Sequence, residues 1–119
     1  MRNFRNLSVW PKGHSLTLKI YSLTKSYPKD EIFGLASQMR RCAYSIPSNI
    51  AEGCGRSSTP DFKRFLVIAA GSSSELEYQL FLSKDLGYLS EIVFKELEFE
   101  TIGIKRMIYS LIKKLDADG

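Results

Sequence analysis

Three clusters of turn-forming residues cut this chain into four stretches, and their spacing constrains the fold more than any other feature. The first is Tyr27-Pro28-Lys29-Asp30. The second runs from Gly53 through Cys54, Gly55, Arg56, Ser57 and Ser58 to Thr59 and Pro60. The third is Leu86-Gly87-Tyr88-Leu89-Ser90. The stretches between them, about 20 to 27 residues each, are too long for strands. A helix of about 25 residues is about 37 Å long, so four of them form an elongated bundle.

Each stretch carries an apolar stripe at spacings of three and four, the period of one buried helix face. The first is Gly13, Leu16, Thr17, Ile20, Tyr21, Thr24 and Tyr27. The second is Ile32, Leu35, Met39, Cys42, Ala43, Ile46 and Ile50. The third is Phe62, Phe65, Leu66, Ala69, Ser73, Leu76, Leu80 and Ser83. The fourth is Val93, Leu97, Ile104, Met107, Ile108, Leu111 and Leu115. Helices are therefore expected over about 9–27, 30–55, 60–86 and 90–116. Thr59, Pro60 and Asp61 suit a helix start, Gly87 a left-handed stop, and Ser90 a cap for the last helix. Pro47 lies inside the second stripe and removes one backbone hydrogen bond, so a kink is expected there. Short connections make neighbouring helices antiparallel. The expected fold is a single all-α domain over 1–119, an up-down-up-down four-helix bundle.

At 119 residues the chain is long enough for a core without disulfides or metals. Its Cys42 and Cys54 form no disulfide framework and no paired metal spacing, which fits a reducing compartment. The first ten residues lack an apolar signal core, and no apolar run reaches the length that spans a bilayer. A cytoplasmic protein without membrane partners is expected. The net charge of +4 points mildly toward polyanions.

The third helix carries more apolar surface than one buried face requires. Val67, Gly71, Ser74, Tyr78, Phe81 and Leu82 repeat at three and four residues on the side away from the Phe62–Leu80 stripe. Scattered surface hydrophobes are common. A subunit interface accounts better for this set, because Gly71 and Ser74 permit close helix approach beside Tyr78 and Phe81.

Catalytic constellations are hard to assemble from these residues. His14 is the only histidine, so Glu-x-x-His pairs and Cys/His zinc sets fall short of ligands. Nothing places Cys42 or Cys54 beside that single base. The Gly53–Ser58 turn resembles a phosphate loop superficially, but it follows a helix and lacks the lysine. A plain turn with a helix cap describes it better than a phosphate site beside Arg56. Neither a cofactor nor a metal is expected, and the chain reads as a non-enzyme.

Antiparallel pairing of the second and third helices about Ser58 sets Arg41 near Glu75 and Glu52 near Arg64, as structural ion pairs. Arg40, Arg56 and Lys63 are left without evident partners, with Arg2, Arg5 and Lys12 near the start. Lys105, Arg106, Lys113 and Lys114 give the fourth helix a basic side. Taken singly these are solvated charges; together they form a surface able to follow phosphates, the more so in a symmetric oligomer.

The strings Leu7-x-Val9-Trp10, Phe33-Gly34-Leu35-x-x-Gln38-x-Arg40-Arg41 and Ser45-Ile46-Pro47-x-Asn49-Ile50-Ala51-Glu52-Gly53-x-Gly55-Arg56 carry a family resemblance. With Ala70-Gly71-Ser72-x-x-Glu75-Leu76 and Leu86-Gly87-Tyr88-Leu89, the chain resembles the four-helix bundle proteins encoded in intervening sequences of bacterial 23S rRNA genes. It is similar, more distantly, to Avd, the accessory protein of diversity-generating retroelements. The resemblance implies a cytoplasmic homopentamer without enzymatic activity, associated with RNA or DNA or, in the second branch, with a reverse transcriptase. The alternative is a structural protein–protein scaffold with no nucleic-acid role. Arg41, Pro47, Asn49, Glu52, Gly53 and Glu75 are read as holding the central hairpin together.

Overall fold

The structure, a computed structural model, describes residues 2–118. Four helices, α1 (Val9–Thr24), α2 (Leu35–Cys54), α3 (Thr59–Asp85) and α4 (Glu91–Asp118), form a bundle about 46 Å long. Single 3-10 turns precede α1 and α2. Contacts between helices fix the topology. Thr17 meets Ala43 while Thr24 meets Arg40, Ser45 meets Ser72 while Met39 meets Ser83, and Glu77 meets Lys105 while Lys63 meets Asp116. Each neighbouring pair thus runs antiparallel, giving the expected up-down-up-down order. The core is one cluster centred on Leu16, Ile20, Met39, Ile46, Ile50, Phe62, Leu66, Leu76, Leu80 and Ile108.

Pro47 sits inside α2 without ending it. A proline offers no N–H to the carbonyl four residues earlier, here Ala43. That buried carbonyl lies 3.1 Å from the Thr17 hydroxyl of α1, whose single proton it shares with the Gly13 carbonyl at 2.8 Å. Gly13 in turn gives α1 a flat side against the proline ring: a Cβ there would sit 3.3 Å from Ile46 and 3.6 Å from Pro47. Asn49 donates to the Ser45 carbonyl and hydroxyl, and Ser45 bonds Ser72 of α3 at 2.8 Å. At Gly53 a Cβ would come within 2.9 Å of the Phe62 ring and 3.0 Å of Phe65, so only glycine lets α2 and α3 converge at their turn. Pro47, Asn49 and Gly53 therefore bind the central hairpin to itself and to α1.

Several boundaries differ from the sequence expectation. α1 ends at Thr24, although Tyr27 beyond it is buried against Tyr88 at 5.0 Å. α2 begins at Leu35, and Ile32 and Phe33 lie outside it in solvent, Phe33 at 96% exposure. The cause is Glu31, whose one carboxylate oxygen accepts from the Leu35 N–H at 3.1 Å while the other accepts from the Tyr88 hydroxyl at 3.0 Å. A Cβ at Gly34 would lie 2.8 Å from that carboxylate. The α3 cap is Ser58, one residue earlier than Thr59, and accepts from the Asp61 N–H. Gly87 adopts φ 81° and Ser90 caps α4, both as expected. On α4 the buried line runs through Phe94, Leu97, Thr101, Ile104 and Ile108, while Val93, Met107, Leu111 and Leu115 are half-buried.

Candidate nucleic-acid interface

Four of the basic residues expected at a nucleic-acid surface are engaged within the chain. Arg40 donates to the Thr24 hydroxyl at 2.8 Å and the Tyr21 carbonyl at 3.3 Å and lies over the Tyr21 ring, tying α2 to α1. Arg56 bridges Glu52 at 3.2 Å and Asp61 at 3.9 Å above the Phe65 ring. Lys63 pairs with Asp116, and Lys105 with Glu77 at 2.8 Å. Arg106, Lys113 and Lys114 make no ion pair among the described residues.

The expected cross-hairpin pairs do not form. Glu52 turns to Arg56 on its own helix, and Arg64 turns to Asp61 at 3.0 Å. Partners one turn away are reached with less loss of side-chain freedom than partners across a helix gap. Arg41 and Glu75 are both exposed and unpaired with each other; Glu75 lies beside the Cys42 thiol. Burial, reinforced by Glu75, pushes that thiol up to about 11. Cys54 is raised by burial as well, with Arg2 working against the shift. Both sulfurs are neutral packing groups at ordinary pH. His14 is exposed and stacked on Trp10 at 5.3 Å.

The fold does gather charge that looked dispersed along the chain. The Arg2 N–H donates to the Cys54 carbonyl at 3.1 Å, which brings the chain start to the α2–α3 turn, and the end of α4 arrives there too. The half of the bundle at that end holds eight cations (Arg2, Arg5, Lys12, Arg56, Lys63, Arg64, Lys113 and Lys114) and four carboxylates (Glu52, Asp61, Asp116 and Asp118). The other half, in which Lys105 and Arg106 stand level with Glu77 and Glu75, holds nine cations and nine carboxylates. The net charge of +4 thus sits at one end of the long axis. At the positive end Arg2 stacks over Phe62 and Arg5 over Phe4, and neither makes an ion pair among the described residues.

Of the expected interface residues, Val67, Gly71, Ser74, Tyr78 and Phe81 are exposed and Leu82 is half-buried. Two of them also serve the chain itself. Ser74 accepts from Lys105, and Phe81 packs edge-on against Phe94 at 6.1 Å with the Lys84 ammonium over both rings. The fully outward set on α3 is Val67, Ile68, Gly71 and Tyr78. A matching stripe on α4 escaped the sequence reading: Ile92, Phe99 and Tyr109 are exposed, Phe99 at 81%, with half-buried Ile102 and Gly103 between them. Its three-and-four spacing was the available signal. A mainly apolar cleft of about 550 Å³ between α1 and α4 is lined by Pro11, Lys12, Ser15, Phe99, Glu100, Gly103, Ile104 and Met107, and the Glu100 carboxylate there is paired with Lys19.

The family sequence model described as 23S rRNA-intervening sequence protein matches residues 5–110, nearly the whole bundle. The chain belongs to that family. A crystallised protein of unknown function from the S23 ribosomal protein family of Bacteroides thetaiotaomicron is similar in structure, with a TM-score of 0.82 and 27% identity. The match covers 88% of this chain and 95% of that one. No curated protein matches the chain. Membership in the intervening-sequence family accords with the role of the Ile46–Gly53 run described above: the residues that carried the resemblance are those that close the hairpin. Among the described residues no helix is long and apolar enough to cross a membrane.

Proposed function

We propose that this intervening-sequence family member is a non-catalytic cytoplasmic protein that assembles as a homopentamer and holds nucleic acid, with structured ribosomal RNA as the first candidate, at its positive end. The observation that carries the reading is the charge separation along the bundle axis. Phosphate contacts by lysine and arginine release counterions and give affinity without sequence readout. The free cations Arg5, Lys12, Lys113 and Lys114 are spread over an end face suited to that kind of contact. No ladder of exposed aromatics runs among them, which favours a backbone-following mode over base stacking.

The test is binding of a structured RNA and a DNA duplex across a salt series. The combined reversal Arg5→Glu, Lys12→Glu and Lys114→Glu should weaken binding and flatten the dependence of log K on log salt, by up to about one unit per lost phosphate contact. Reversal of Lys25 and Lys29, at the opposite end, should leave both unchanged. The exposed apolar faces favour a second reading, a protein–protein scaffold with incidental charge. Under that reading neither set of reversals changes partner binding, and the protein does not bind either polymer at low ionic strength.

A further inference from the structure

Two outward faces of the bundle are apolar and opposite in charge. On α3, Val67, Ile68, Gly71 and Tyr78 lie in line with the acids Glu75 and Asp85, and with Arg64, which is already paired with Asp61. On α4, Ile92, Phe99, Ile102 and Gly103 lie in line with the cations Lys95 and Arg106, Lys113 continues that line, and Glu96 and Glu98 flank it. Each face has a notch, since a Cβ built at Gly71 or at Gly103 meets nothing within 4 Å. The charges are little used inside the chain. Among the described residues Glu75 and Arg106 form no ion pair, and Asp85 and Lys95 have only long contacts, 3.9 and 4.0 Å, to neighbours on their own helices.

The level of each residue along the bundle follows from contacts already fixed between α3 and α4. Lys63 is level with Asp116, and Ser74 and Glu77 are level with Lys105. On that scale Glu75 stands level with Arg106, Asp85 with Lys95, Phe81 with Phe99, Tyr78 with Ile102 and Gly103, and Gly71 with Tyr109. Copies related by rotation about an axis along the bundle keep these levels. The α3 face of one copy then meets the α4 face of the next with acids opposite cations and each tyrosine opposite a glycine notch.

We propose that the outer face of α3 in one copy packs, antiparallel and level, on the outer face of α4 in the next, and that this head-to-tail contact is the repeating joint of the assembly. It rests on the reading that the chain self-assembles and names the surfaces that do so. A second copy is the occupant because the complementary charges lie at matching heights of the same chain. Pairing of the α4 face with itself would line Lys95, Arg106 and Lys113 against one another, which like-charge repulsion opposes. Two different faces joined head to tail build a ring when the rotation closes.

Cross-linking separates the outcomes. Cys42 and Cys54 are buried, so thiols introduced by Tyr78→Cys or Ile102→Cys are the reactive ones toward a short bis-maleimide. Each single variant should stay unlinked, an exchanged mixture of the two should give linked dimers, and the double variant should give a ladder. Self-linking of a single variant, or no linking in a mixture that light scattering shows to be assembled, overturns the joint while leaving self-assembly intact. A wild-type chain that scatters as a single copy overturns self-assembly and the joint with it. As a second readout, Glu75→Arg should weaken association about tenfold and the added Arg106→Glu should restore it. Failure of that rescue also counts against the joint.

Discussion

The Thr17 hydroxyl compensates for a proline on another helix, and a double-mutant cycle tests this directly. Pro47 leaves the Ala43 carbonyl without its helical donor, in a residue with 0% exposure. Thr17 supplies a donor from 3.1 Å away. Thr17→Val keeps the side-chain shape and deletes the donor, so the carbonyl is left buried and unpaired, at a cost of about 1–3 kcal/mol. Pro47→Ala returns an N–H to α2 at the position that reaches Ala43. In that background the carbonyl has its own partner, and Thr17→Val should cost less by about 1 kcal/mol, the worth of a typical internal hydrogen bond. The remaining cost reflects the bond to the Gly13 carbonyl at 2.8 Å. Urea denaturation of the four proteins at one fixed concentration, followed by circular dichroism, gives the coupling energy without needing the effect of the proline itself. Equal Thr17→Val costs with and without Pro47 would refute the compensation, and the hydroxyl would then be an ordinary back-bond within α1.

Three further outcomes follow from contacts elsewhere. Gly53→Ala should lower stability by about 1–2 kcal/mol, the overpacking against Phe62 and Phe65 outweighing the gain in helix preference, whereas Gly71→Ala, which meets nothing within 4 Å, should raise the stability of the single chain by about 0.5–1 kcal/mol; thermal melts of the two variants should move in opposite directions. Cys42 holds its proton up to about 11 when folded and releases it near 9.0 when unfolded, so its contribution is complete below pH 9 and declines as pH rises toward 11. Denaturation midpoints measured through that window should fall with a slope that Cys42→Ala flattens. Arg40→Gln should cost about 1 kcal/mol by loss of the Thr24 and Tyr21 contacts, yet leave RNA affinity unchanged, because the guanidinium is occupied within the fold.

What could be read from the sequence was whatever depends on period. Burial of Leu16, Ile20, Met39, Ile46, Leu66, Leu76 and Leu80 follows from three-and-four spacing, and so does the antiparallel order once the turns are short. The start of α2 was not legible, because Glu31 caps Leu35 only while Tyr88, 57 residues away, holds its other oxygen. Charge pairing failed for a related reason. The partner of Lys63 is Asp116, set by where α4 ends, and Arg40 finds its place on α1. The cations outside ion pairs are brought together only where the chain start and the end of α4 meet at the α2–α3 turn. The outer stripe of α4 is present in the spacing of Ile92, Phe99, Ile102 and Tyr109, but the buried line through Phe94, Leu97, Ile104 and Ile108 has the same period, so spacing alone does not separate the two faces.

Charge polarity and the proposed joint constrain each other, and their combination makes one prediction of unusual sign. Level packing keeps every positive end on the same side of the assembly, so the end fields add; an up-and-down arrangement of neighbours would cancel them. Glu75→Arg raises the charge of each chain by two. If single chains bound RNA, that change should tighten binding and steepen its salt dependence. If assembly gathers the positive ends, the same substitution removes the acid facing Arg106 of the next copy, disperses the ring and weakens binding through lost multivalency. Adding Arg106→Glu returns the net charge to that of the wild type while restoring the pair, and RNA affinity should recover with the assembled mass. Tighter binding by Glu75→Arg, with no recovery step in the double variant, would separate the two ideas and leave the basic end as the property of a lone bundle.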